Sequence, residues 1–88
     1  MRTIYKYKLE PIIELEVPTR REFLTVHSQG DDIFLWMKVD TEYYPQYFNK
    51  IKIRCFGTGH EIPKDKELLY LGTAFLPSGL VFHVFEEM

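Results

Sequence analysis

Hydrophobic and polar residues alternate along much of this chain of 88 residues, with the period of two that is typical of β-strands. The first such run spans residues 3–9, where Tyr5 and Tyr7 share one side and Lys6 and Lys8 share the other. Successive side chains of a strand point to opposite faces of the sheet. The run therefore predicts a strand.

A second alternating run follows after an interruption at Pro11. It extends from Ile13 to Val17, with the apolar residues predicted to point inward and Glu14 and Glu16 outward. Proline has no backbone N–H to donate to a strand ladder. The two runs are therefore either one bent strand or two separate strands, and the pattern permits both.

The remaining strand signals come with clear turn sequences. Strands are predicted at residues 23–28, 33–39 and 51–56, and a β-hairpin at residues 69–85. The turns are Gln29-Gly30-Asp31-Asp32 and Pro77-Ser78-Gly79, in which glycine accepts a positive φ and proline presets φ.

The pattern as a whole predicts a single all-β domain over residues 1–88. No apolar period of 3.6 residues persists for ten residues, so no helix is predicted. Most connections are too short for the crossovers that parallel strands require. We expect a small, mostly antiparallel sandwich or partly closed barrel of six to seven strands.

Two of the predicted strands are apolar on both faces, at residues 33–37 and 80–85. In a two-layer fold one face of a strand normally meets water. The outward residues that need a cover are Phe34 and Trp36, or alternatively Val81, His83 and Phe85. The cover is either the loop at residues 40–49 or the surface of another molecule, in a homo-oligomer or with a different partner.

Aromatic residues make up 16% of the chain, and the loop at residues 40–49 is dense in tyrosine. Tyrosine and tryptophan are the side chains that most often dominate the binding energy of protein interfaces. We therefore predict a partner-binding surface formed by Trp36, Tyr43, Tyr44 and Tyr47.

A short glycine loop, Gly57-Thr58-Gly59-His60, follows the strand at residues 51–56. Paired glycines let successive backbone N–H groups converge on an anion. No Lys-Ser/Thr pair follows, so the loop is not a P-loop. It is either a ligand-contacting loop or a plain glycine turn with a solvated His60.

A basic stripe of Lys50, Lys52 and Arg54 leads directly into this loop. Such a stripe is either a solvated outer face or a set of phosphate contacts. Cations, a backbone nest and nearby tyrosines together are able to hold a nucleotide without reading its base. In this alternative the ligand is bound by Lys52, Arg54 and the glycine loop.

Other chemistries have little support in the sequence. The net charge of −2 argues against general nucleic-acid binding. The three histidines and Cys55 match no common zinc spacing, so neither a metal nor a cofactor is expected. His27 and Ser28 are neighbours in a strand, where adjacent side chains point apart. The chain is therefore predicted not to be an enzyme.

The expected compartment is the cytoplasm. No signal peptide is recognised at the start of the sequence, and no apolar stretch approaches the ~18 residues of a membrane span. A single cysteine fits a reducing environment.

Several segments of the chain, in their order and approximate spacing, resemble those of a family of small proteins of unknown function that phages and prophages encode. The segments are TIYKY, LWMKVD, FGTGHEIP, YLGT and GLVFHVFE, which together span nearly the whole chain. The sequence departs from the family pattern at residues 19–22 and 74–78. These departures fall in a connection and at a hairpin tip, so they leave the expected fold unchanged.

The resemblance implies a context rather than an activity. Small phage proteins without catalytic motifs often antagonise host systems, and the resemblance implies a non-enzymatic protein that binds a bacterial host protein of a defence system, in the host cytoplasm. An alternative is a sponge that sequesters a nucleotide immune signal, such as a cyclic nucleotide. Another is a structural or accessory phage component.

Overall fold

The computed structural model of the chain describes residues 1–41 and 47–88, and within them it contains seven strands and no helix. The strands are β1 (Arg2–Lys8), β2 (Ile12–Pro18), β3 (Arg21–Gln29), β4 (Asp32–Asp40), β5 (Phe48–Gly57), β6 (Leu68–Phe75) and β7 (Val81–Glu87). All pairings among them are antiparallel. The predicted all-β class is confirmed.

The strands form two sheets. Sheet A has the order β1-β4-β3, and sheet B has the order β2-β5-β7-β6. Pro11 lies in the connection between β1 and β2, and these strands belong to different sheets. The interruption therefore separates two strands, because the chain leaves one layer there and enters the other.

The registers show which side chains face the core. In sheet A, Tyr7 lies opposite Leu35 and Tyr5 opposite Met37, whereas Lys6 lies opposite Trp36. Leu35 and Met37 are buried, so the tyrosine side of β1 is the inner side. Lys6 and Trp36 consequently lie on the outer face of sheet A.

The core fills the space between the inner faces of the two sheets, as in a β-sandwich. Its buried residues are Leu9, Leu15, Val17, Val26, Leu35, Met37, Val39, Ile51, Ile53, Ala74 and Val84. Both sheets contribute to this set. On one side of the sandwich β3 lies against β6, where the Ser28 hydroxyl donates a hydrogen bond of 2.8 Å to the Phe75 carbonyl. On the other side residues 9–11 join β1 to β2.

The predicted hairpin at the end of the chain is confirmed as β6 and β7. The Gly79 N–H donates to the Leu76 carbonyl at 2.9 Å, which closes a turn with Pro77 at its first central position. Gly79 has φ +92°, a backbone angle that residues with a Cβ rarely adopt. This arrangement corresponds to a three-residue hairpin loop with a bulge glycine.

The domain is thin for its size. Its Cα atoms extend over 44 × 32 × 15 Å, and the radius of gyration is 13.8 Å. Compact domains of this length have a radius of about 12 Å. The flat shape leaves many large apolar side chains at the surface. The described residues contain no helix of the length and hydrophobicity needed to cross a membrane.

A pair of identical substitutions tests the assignment of faces in sheet B. Ile53 is fully buried (0% exposed), whereas Ile12, on the adjacent strand, is 55% exposed. Ile53→Val should lower the free energy of unfolding by about 0.5–1.5 kcal/mol, because it removes a packed methyl group. Ile12→Val should change it by less than about 0.5 kcal/mol. Urea denaturation of both variants measures the difference, and equal losses would contradict the assigned faces.

Candidate functional site

The outer face of sheet A carries an apolar patch centred on Trp36. We call it the Trp36 face and define it as Ile4, Leu24, Thr25, His27, Gln29, Phe34 and Trp36, contributed by β1, β3 and β4. Strand alternation places all of these residues except Leu24 outward, because Leu35 and Met37, which alternate with Phe34 and Trp36, fill the core.

Aromatic contacts hold the centre of the Trp36 face. The rings of Phe34 and Trp36 pack with their centroids 5.8 Å apart at an interplanar angle of 57°. Lys6 lies 4.5 Å from the centroid of the Phe34 ring, in cation–π geometry. Its ammonium also donates to Gln29 Oε1 at 3.0 Å. The lysine therefore covers Phe34.

A shallow depression of about 460 Å³ lies beside Trp36. Its walls include Ile4 and Leu24, which are 58% and 41% exposed. Apolar side chains beside an open depression offer a partner surface that loses water when it is covered. Surface ion pairs border the same face, between Lys38 and Glu22 at 3.1 Å and between Lys8 and Asp32 at 3.6 Å.

Leu24 was not foreseen as part of this surface. It is the extra residue at the irregularity in the β3–β4 register between Phe23 and Thr25. A bulge places two residues of one strand opposite one residue of its neighbour. The signal in the sequence was the adjacent apolar pair Phe23-Leu24, which breaks the alternation of the strand.

The structure describes two of the four predicted partner-binding residues. Trp36 lies in the middle of β4 in sheet A, whereas Tyr47 lies immediately before β5 of sheet B and is exposed. The Tyr47 carbonyl accepts a hydrogen bond of 2.9 Å from the Thr19 N–H. Tyr43 and Tyr44 lie outside the described residues. Trp36 and Tyr47 therefore belong to different parts of the molecule.

The basic stripe on β5 is paired with carboxylates. Glu87 of β7 accepts a hydrogen bond of 3.0 Å from Arg54 and lies 3.4 Å from the Lys52 ammonium. We call these three residues the Glu87 clamp. On the other side of β5, Lys50 lies opposite Glu16 and Lys52 opposite Glu14. The positive charge predicted for phosphate contacts is thus largely balanced by neighbouring acids.

The clamp covers an aromatic residue that faces outward. Phe56 is only 7% exposed, although it shares the outer face of β5 with Arg54. The Arg54 guanidinium lies 5.2 Å from its ring centroid, and Phe85 packs against it at 5.9 Å. Arg54 therefore serves in packing as well as in charge pairing.

Electrostatics within the clamp change the protonation of Glu87, whose side chain is only 12% exposed. Burial alone would raise the pKa of this carboxyl. The hydrogen bonds from Arg54 and Lys52, together with the charges of Lys52 and Lys66, outweigh burial and hold the pKa of Glu87 below its ordinary value.

The glycine loop is a turn whose backbone donors are mostly occupied. The His60 N–H donates to the Gly57 carbonyl at 3.0 Å, and the Gly57 N–H donates to His60 Nδ1 at 3.2 Å. The Thr58 N–H donates to the Val81 carbonyl at 3.3 Å. Gly59, at φ +88°, supplies the left-handed residue that the turn requires. The N–H groups of Gly57, Thr58 and His60 therefore do not converge on a bound anion.

A chain of hydroxyl and imidazole groups extends from this loop across the outer face of sheet B. Thr58 Oγ1 lies 2.8 Å from His83 Nε2, and Thr73 Oγ1 lies 3.2 Å from His83 Nδ1. The Tyr70 hydroxyl hydrogen-bonds to Thr73 Oγ1. Both nitrogens of His83 are thus engaged in hydrogen bonds within the outer face of sheet B.

The sulfur and metal chemistry of the described residues is limited. Cys55 lies on the inner side of β5 and packs against the core, and burial raises the pKa of its thiol to about 11. Within residues 1–41 and 47–88, no group of three or more His, Cys, Asp or Glu residues is arranged to hold a metal ion.

Together the fold and the site define a small two-sheet β-sandwich domain with a partly exposed apolar face on one sheet. The chain belongs to the family described as Domain of unknown function (DUF7352), whose model matches residues 1–88. No curated protein and no solved structure matches the chain.

The Glu87 clamp predicts a specific dependence of stability on pH. Because the folded-state pKa of Glu87 lies below its ordinary value of 4.5, the clamp stabilises the fold above pH 4.5. This contribution is lost as the pH falls through the folded-state pKa. Glu87→Gln should lower stability at pH 7 and flatten the decline in stability below pH 4.5.

Urea denaturation at a series of pH values measures this effect. Glu86→Gln is the matched control, since it changes the neighbouring residue and leaves the clamp intact. The Glu86→Gln control should still show the loss of unfolding free energy below pH 4.5 that comes from protonation of Glu87. Identical pH profiles for wild type and Glu87→Gln would show that the clamp does not stabilise the fold.

The raised pKa of Cys55 predicts low reactivity. Because pH 7 is about four units below this pKa, only about one molecule in 10⁴ carries Cys55 as the thiolate. Alkylation by iodoacetamide, followed by mass spectrometry, should be much slower in the folded protein than in urea. Equal rates in the two states would contradict the burial of this side chain.

Proposed function

We propose that this domain acts without catalysis, by binding another protein through the Trp36 face. The observation that carries the proposal is the exposed apolar depression beside Trp36, with Ile4 and Leu24 in its walls. Interface hot spots are enriched in tryptophan and lie in pockets that become fully desolvated on binding. The border of charged pairs corresponds to the polar rim that surrounds such a centre.

The Trp36 face is flat, which favours a macromolecular partner over a small ligand. Its depression is open to one side of a sheet, whereas small-molecule sites enclose most of the ligand surface. Phe34 is already covered by Lys6, so a partner gains most by covering Trp36, Ile4 and Leu24. A partner with an apolar protrusion and a polar periphery complements this surface.

The biological context of the proposal comes from the resemblance to phage-encoded proteins. In this context the partner is a protein of a bacterial defence system, and binding occurs in the cytoplasm of the host cell. Occupation of the partner surface is sufficient to antagonise the partner, so no chemistry by this chain is required.

Protein binding is preferred here over the nucleotide sponge. A phosphate at Lys52 or Arg54 would have to compete with Glu87, which both cations already contact. The backbone donors of Gly57 and His60 contact each other's residues instead of facing outward together. On the Trp36 face, the described contacts are the Phe34–Trp36 ring pair and Lys6 over Phe34, and Ile4 and Leu24 stay 58% and 41% exposed.

The direct test is native mass spectrometry of the purified protein after incubation with lysate of a bacterium that carries defence systems. Wild type should capture a discrete host protein. Trp36→Ala should weaken this complex by about 30-fold or more, because hot-spot truncations cost about 2 kcal/mol or more. Phe75→Ala is the matched control, since it removes an exposed aromatic residue from the other sheet and should leave the complex unchanged.

Other results would overturn the proposal. An added mass of a few hundred daltons that Lys52→Ala and Arg54→Ala abolish would support the nucleotide sponge. Absence of any captured mass, with no effect of expression on phage plating, would support a structural or accessory component. Equal loss of the complex in the Trp36 and Phe75 variants would show that the contact surface is not the Trp36 face.

A further inference from the structure

The sandwich has one side on which both sheets end in an edge strand. Within the described residues, β1 pairs only with β4, and β2 pairs only with β5. Both edges lie on the same side, because residues 9–11 join β1 to β2 while β3 lies against β6 on the opposite side. An edge strand presents unpaired backbone N–H and C=O groups that are able to pair with another strand.

The two edge strands carry opposite charge. The outward residues of β1 include Lys6 and Lys8, and those of β2 include Glu14 and Glu16. Within one copy Lys6 contacts Gln29 and Lys8 pairs with Asp32, while Glu14 and Glu16 lie opposite Lys52 and Lys50, so pairing between copies would add a second partner to each charge. Like charges on directly opposed strands are destabilising, and opposite charges are stabilising. Pairing of β1 with β1 or of β2 with β2 is therefore disfavoured between copies, and pairing of β1 with β2 is favoured.

The strand directions permit this pairing to be antiparallel. The Arg21 side chain, whose residue pairs with Val39 in sheet A, donates to the Pro18 carbonyl at 3.1 Å. Val39 also pairs with Thr3 of β1. The end of β2 thus lies near the start of β1, and the two strands run in opposite directions on neighbouring layers.

We propose that two copies of this chain form a two-fold dimer in which β1 of each copy pairs with β2 of the other. A two-fold axis along the strands exchanges the layers, so that sheet A of one copy continues into sheet B of its partner. Both junctions are then antiparallel, inner faces continue into inner faces, and Lys6 and Lys8 lie beside the partner's Glu14 and Glu16. The interface is self-complementary and closes without leaving an edge on that side.

This inference does not rest on the proposed function. The junction lies along the edge of β1, whereas Trp36 lies on the central strand of sheet A. The two surfaces meet at β1, where Ile4 belongs to the Trp36 face and Lys6 covers its Phe34. Dimerisation is measured with the purified protein alone, so its failure would leave binding through Trp36 untouched. Conversely, Trp36→Ala should leave the dimer intact.

The test is sedimentation equilibrium combined with charge reversal. Wild type should sediment at twice the 10.6 kDa mass of the single chain. The variant Lys6→Glu with Lys8→Glu should dimerise about tenfold more weakly or worse, because like charges then oppose each other at both junctions. The variant Glu14→Lys with Glu16→Lys should behave in the same way.

The combined variant with all four reversals should dimerise again, since opposite charges are restored at each junction. Lys64→Glu is the control for added negative charge away from the junction, and it should remain dimeric. A monomeric wild type would overturn the proposal, as would a dimer that survives both double reversals. Open-ended polymers would overturn the closed two-fold arrangement.

Hydrogen exchange of the wild type avoids any effect of the substitutions on folding. Comparison of concentrated and dilute protein should show added amide protection in β1 and β2, where new backbone hydrogen bonds form. Protection that is confined to other strands, or that does not depend on concentration, would overturn the proposal.

Discussion

The structure depends on a geometric constraint: a two-layer sandwich buries only one face of each strand. The core is filled by the inner faces of sheets A and B, with Leu35 and Ile53 fully enclosed between them. The sequence supplies more apolar side chains than these two faces hold. The remaining apolar side chains lie on the outer faces, and the two sheets differ in how far other side chains cover them.

On sheet B, the surplus is shielded by the chain itself. Arg54 lies over Phe56, Phe85 packs against the same ring, and Glu87 holds the guanidinium in place. On sheet A, Lys6 covers Phe34 but leaves Trp36, Ile4 and Leu24 partly open. The difference between a shielded and an open outer face is why the candidate site lies on sheet A.

The sequence was sufficient to predict features that depend on short-range patterns. The strand over the first alternating run and the turn at Gly79 follow from alternation and from local backbone preferences, and the structure confirms both. Features that depend on how strands align were not predictable in this way. Arg54 and Glu87 are 33 residues apart, and alternation within each strand does not determine the register between strands.

The candidate site shows the same division. Trp36 was identified because its strand is apolar on both faces, whereas Leu24 joined it through a bulge that shifts the register by one residue. The glycine loop and the basic stripe were identified from the sequence, but the residues that they contact were not. Their hydrogen-bond partners, Val81 and Glu87, come from a strand more than twenty residues later in the chain.

The central position of β7 in sheet B has a consequence for how the domain folds. Sheet A is complete within the first 40 residues, and its β3–β4 hairpin forms from neighbours in sequence. Sheet B connects β6 to β5 only through β7, the last strand along the chain. Pairing of strands that are far apart in sequence is slow compared with hairpin formation. The β3–β4 and β6–β7 hairpins should therefore form first, and the pairings of β1 with β4, β2 with β5 and β5 with β7 should limit the folding rate.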